Sequence, residues 1–95
     1  MYVVLSNFTE SGRTDIKNTS ERLNRLGPVA DKLGVKVVAN AICMGQYDVV
    51  TILDAPDDAT VARVIGTVLS RGYVTTQTMR GFSIEEFAQV TSNLG

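Results

Sequence analysis

The residue pattern predicts an α+β fold, with four strands in one antiparallel sheet and two long helices packed against it. Three observations carry that expectation. There are four short β-branched or aromatic runs; two helical stripes separate them in the order β-α-β-β-α-β; and a glycine marks the turn between the middle two. Tyr2 to Phe8 (YVVLSNF) reads as the first strand. Thr9 to Asn18 is polar and reads as a loop with room for a helical turn. Thr19 or Ser20 can N-cap the first long helix, and Leu23, Leu26, Ala30 and Leu33 form its apolar stripe. Gly27-Pro28 predicts a kink or restart at the proline, and Gly34 is the expected residue just past the helix end.

Val35 to Met44 and Tyr47 to Asp54 flank Gly45-Gln46, the signal of a two-residue hairpin of type II′. Asp54-Ala55-Pro56-Asp57-Asp58 opens a second helix, with Pro56 near its first position and acids in its first turn. Its stripe is Val61, Ile65, Val68 and Leu69, and Gly72 ends it. Tyr73 to Arg80 is the fourth strand. Ser83 and Glu86 form a capping box for a short final helix bearing Ile84, Phe87 and Leu94. The order is that of the ferredoxin-like or split βαβ plan.

Ninety-five residues and 10.3 kDa set one domain, residues 1–95, with a folded surface of roughly 5,300 Å². A hydrophobic share of 44% with 20% charged residues excludes disorder. With a formal charge of −1 and no basic stripe, no nucleic-acid partner is expected. Histidine is absent, which removes imidazole bases, imidazole haem ligands and mixed His/Cys zinc sites. The lone Cys43 makes no internal disulfide, and the opening apolar run ends after Leu5 without a basic flank. A cytoplasmic protein with no membrane segment, no cofactor and no metal is therefore expected.

Pairing across Gly45-Gln46 matches positions summing to 91, so one hairpin face holds Val38, Ile42, Met44, Tyr47, Val49 and Leu53 with Asn40 and Thr51. The other holds Val35, Val37, Ala39, Ala41, Cys43, Asp48, Val50, Ile52 and Asp54. Neither face alternates with polar residues as a half-solvated sheet should. Two helices cover only one of them, so the second must meet another copy of the sheet. The larger side chains suit the helix-covered core. The small Ala39, Ala41 and Cys43 leave space for a pocket between apposed sheets, with Asp48 at its rim. Asn40 then lies beneath the helices and needs a partner.

Tyr47 and Asp48 are the most site-like pair, because a carboxylate on an apolar face either finds a partner or shifts its pKa upward. The plainer reading has Asp48 tie down the turn or pair across an interface. Arg80 is the cation to place at the pocket mouth, where it clamps an anion or makes an ordinary salt bridge. Cys43 has no histidine to activate it and reads first as a small buried hydrophobe. Asp54, Asp57 and Asp58 are explained by the helix start rather than by a metal. Lys17, Arg22 and Arg25 lie among Glu10, Asp15 and Glu21 as a solvated mixed face.

Gly45-Gln46-Tyr47-Asp48 followed by Asp54 to Asp58 resembles the signature of the GYD-domain family. Phe8-Thr9-Glu10-Ser11-Gly12, Arg22, Arg80-Gly81-Phe82 and Glu86-Phe87 extend the likeness over nearly the whole chain. The resemblance implies a ferredoxin-like subunit of the dimeric α/β-barrel group with no settled activity, and it marks Tyr47, Asp48 and Arg80. Ala41 stands where such sequences often carry an aromatic residue, and Gly27-Pro28 interrupts a helix expected to be continuous. The G-x-Y-D hairpin is also similar to the ligand-binding domain of amino-acid-responsive regulators of the Lrp/AsnC type. Three functions stand open: a small-molecule-binding or sensing module using Asp48, Tyr47, Arg80, Cys43 and Ala41; a cofactor-free isomerase, cyclase or oxygenase; and a structural assembly subunit. Self-association through the sheet is common to all three.

Overall fold

The computed structural model describes residues 1–95. The strands are β1 (Tyr2–Phe8), β2 (Lys36–Ile42), β3 (Val49–Asp54) and β4 (Val74–Arg80), in sheet order β2-β3-β1-β4 and antiparallel throughout. The helices are α1 (Glu10–Thr14), α2 (Thr19–Lys32), α3 (Asp58–Ser70) and α4 (Ile84–Ser92), with a 3₁₀ turn at Ile16–Asn18. The expected loop after β1 is thus largely helical, with Thr9 capping α1 by accepting from the Gly12 N–H.

α2 runs as one helix through Pro28, so no restart occurs there. Asn18 occupies its N-cap position and makes no side-chain cap; Thr19 lies inside the helix, where its hydroxyl donates to the Ile16 carbonyl at 2.7 Å. The C-terminus is as expected. Gly34 takes φ +80°, its N–H reaches the Asp31 carbonyl, and the Val35 N–H reaches Ala30, a Schellman motif. That motif swings Val35 into the core.

For α3 the cap is Asp57, whose carboxylate accepts from the Thr60 N–H (2.8 Å) and hydroxyl (2.7 Å). Pro56 therefore lies before the helix, not at its first position. These two bonds, the hydroxyl first, hold the Asp57 carboxyl below its usual range. The Ser83–Glu86 capping box on α4 forms in both directions.

The core lies on the face covered by α2 and α3: Tyr2 and Val4 from β1, Leu53 from β3, Val35, Ala30 from α2, and Val61 and Val64 from α3. Val64 takes the inward place expected for Leu69, which is exposed. Hairpin pairing holds at Ile42↔Val49, Ala41↔Val50, Asn40↔Thr51 and Ala39↔Ile52, then slips so that Val37 meets Leu53. The bulge at Val38 moves Val35 and Val37 to the core side and leaves Val38 56% exposed, reversing their expected faces. Asn40 finds its partner: the buried Thr51 hydroxyl donates to Asn40 Oδ1 at 2.8 Å. Thr51→Val should lower stability by about 1 kcal/mol in a denaturant titration, the typical net worth of such a bond.

On the opposite face the register places Val3, Leu5, Ala39, Ala41, Val50, Ile52 and Met79 together. None belongs to the core cluster. α4 is similarly bare, with Ile84, Phe87 and Val90 exposed by 84%, 51% and 42%; Leu94, expected on this helix, lies beyond its end and is 69% exposed. The chain measures 52 × 31 × 17 Å, with a radius of gyration of 14.6 Å. A compact chain of this length has about 12.4 Å. Its 6250 Å² of accessible surface is greater, by roughly 950 Å², than a compact protein of this mass exposes.

Candidate functional site

Asp48 is drawn into the sheet end. Its carboxylate Oδ2 accepts from the Phe8 N–H at 2.8 Å, its own N–H donates to Ser6, and its carbonyl accepts from the Cys43 N–H. Gly45 does not adopt positive φ and Met44 does not pair with Tyr47, so the turn is a six-residue loop, Cys43 to Asp48, and not a type II′ hairpin. The pull of Asp48 toward β1 explains the change. Tyr47 is carried along, and its hydroxyl donates to Gln77 Oε1 at 3.0 Å. Gln77 pairs with Leu5, so Tyr47 spans the open face rather than the helix-covered one. Met44 is fully exposed, and Cys43 is exposed too, not the buried hydrophobe expected. Ala41 lies on the open face near them.

Arg80 stands elsewhere. It pairs in register with Tyr2, and its guanidinium lies 4.6 Å from the Phe82 ring centroid, 5.6 Å from that of Tyr2, and 3.9 Å from Glu86. Tyr2 and Phe8 are the ends of β1, so Arg80 and Asp48 are separated by about 20 Å along the strand. One chain does not bring them together. Arg80 instead borders a cluster that sequence reasoning missed, in which the Tyr2 hydroxyl donates to Asp58 Oδ1 at 2.5 Å. That bond to a carboxylate pushes the Tyr2 phenol above its ordinary value. Asp57 and Asp58 look alike in sequence but divide the work: one caps α3, the other holds β1.

A concavity of about 800 Å³ lies on the helix side, between α2, α3 and the sheet. Its floor includes Val4, Ser6, Val49, Thr51, Leu53 and Thr76, and Leu26, Val64 and Val68 are on its walls. Arg22 stands at its rim, its side chain only 16% exposed, over the Tyr73 ring at 4.4 Å and bonded to the Asp15 carboxylate and carbonyl and to Thr19. Arg22 is thus a held, largely covered group and not part of a solvated face. No helix is long and apolar enough to cross a membrane.

Strand order β2-β3-β1-β4 with both long helices on one face defines an α+β protein of the ferredoxin-like type. The chain belongs to the GYD-domain family, whose model, described as GYD domain, matches residues 2–91. It is 34% identical over 86 residues to the glutamine synthetase and cystathionine beta-lyase binding protein of Thermus thermophilus, a match covering 90% of each chain. No solved structure gives a significant match.

Proposed function

We propose that this chain is a cytoplasmic binding protein that self-associates through the open face of its sheet and, once assembled, engages a metabolic enzyme. The observation that carries the reading is the apolar patch of Val3, Leu5, Ala39, Ala41, Val50, Ile52 and Met79, which the chain's own helices leave uncovered. Apposed sheets give the dimeric α/β-barrel arrangement of one domain per chain. Ala41, Cys43 and Tyr47 then border the space between the sheets, where a small ligand would be held. Asp48 keeps the loop in place, and Arg80 organises the far edge.

The Thermus relative is named for binding glutamine synthetase and cystathionine beta-lyase, and those two enzymes are the partners this reading carries over. Asp48 and Arg80 lie at opposite ends of β1 and share no pocket within one chain, which counts equally against a small-ligand site and a catalytic site built on that pair. The test is interferometry with immobilised chain against purified glutamine synthetase and cystathionine beta-lyase from the same source. Saturable binding to at least one is expected. If both enzymes pass over a correctly folded surface without response, the partner reading is wrong.

A further inference from the structure

We propose that the cleft between α2 and α3 binds an apolar monocarboxylate, with the acyl body between the two helices and the carboxylate at the Arg71 end. The site is separate from the open face. Its walls supply the half-buried Leu26 of α2 and Ile65 and Val68 of α3, a surface that takes an aliphatic or aromatic body. Its volume of about 800 Å³ falls within the usual range for small-molecule sites. From Val64 to Arg71 the rise along α3 is about 10 Å, which sets the length of the body.

The charges at the mouth select the head group. Arg22 is matched by Asp15, and Arg25 by Glu21. Arg71, which caps α3 and lines the same cleft, forms no salt bridge. The rim thus carries one uncompensated positive charge, and a monoanion neutralises it.

Calorimetric titration of the intact protein with decanoate, and with decylamine as the cationic counterpart, tests the assignment. One decanoate per chain is expected, with decylamine at least about tenfold weaker. Arg71→Gln should weaken decanoate roughly tenfold, the size of one lost charge-assisted bond. Val68→Trp fills the cleft and should abolish binding, whereas Ile52→Glu on the open face should leave it intact. If Val68→Trp fails the circular-dichroism check for folding, Leu26→Trp on the opposite wall repeats the block. The proposal is overturned if decanoate does not saturate, if it survives both tryptophan variants, or if decylamine binds equally well. It is also overturned if binding is lost in Ile52→Glu, which moves the ligand to the sheet interface. Binding that emerges only in Phe87→Glu overturns it too, by assigning the cleft to α4 of a second copy.

Discussion

Ile52→Glu is expected to convert the associated protein into separated chains at micromolar concentration. Ile52 lies opposite Val3 on one side and Ala39 on the other, at the centre of the open face. In a lone chain the new carboxylate would meet water, and such a surface change is worth only about 0.5 kcal/mol. Between two apposed sheets it meets Val, Ala and Met side chains with no cation beside it. An unpaired charge in an interface weakens association by about 3–5 kcal/mol, a factor on the order of 10² to 10³. Sedimentation velocity reads the effect directly. An Ile52→Glu chain that sediments like the parent would mean that the open face is not the interface.

The second large effect is expected at Gly12. A Cβ there would stand 2.2 Å from the Tyr73 carbonyl oxygen and 3.2 Å from the Phe8 Cβ. Both neighbours are fixed: the same Tyr73 carbonyl accepts the Thr9 N–H at 3.0 Å, and the Thr9 hydroxyl donates to Gly72 at 2.6 Å. Gly12→Ala must push α1 off the start of β4 and strain both bonds. The loss should be about 2–4 kcal/mol, combining overpacking with a damaged hydrogen bond. In a chain of this size that lowers the melting temperature by on the order of 10 °C or more. Gly66→Ala, in open space within α3, is the control and should stabilise slightly. Equal melting temperatures for the two variants would contradict the packing described at Gly12.

How far the fold was legible depends on what each local pattern encodes. Side chains alternate along a strand, so the Ala39–Ile42 register with Val49–Ile52 follows from the residues alone. The bulge at Val38 does not, because Val35, Val37 and Val38 are all β-branched and apolar and either set can face the core. Capping chemistry is local, which is why Ser83–Glu86 and Gly34 were readable. Asp48 and Asp58 take partners 40 and 56 positions away, Phe8 and Tyr2 respectively, and no spacing rule reaches that far. The same reason hid the cleft. Arg22, Arg71 and Tyr73 meet only after α2 and α3 have docked on one face.

The open face was legible because it rests on composition along a strand and not on geometry. Ala39, Ala41, Val50 and Ile52 are apolar on the side the helices do not reach, as the hairpin pattern predicts, whereas Val35 and Val37, expected with them, turn to the core. Sedimentation equilibrium of the unmodified protein across the micromolar range settles the matter. Association predicts a mass of two or more whole multiples of 10.3 kDa. A homogeneous 10.3 kDa species throughout that range would contradict it.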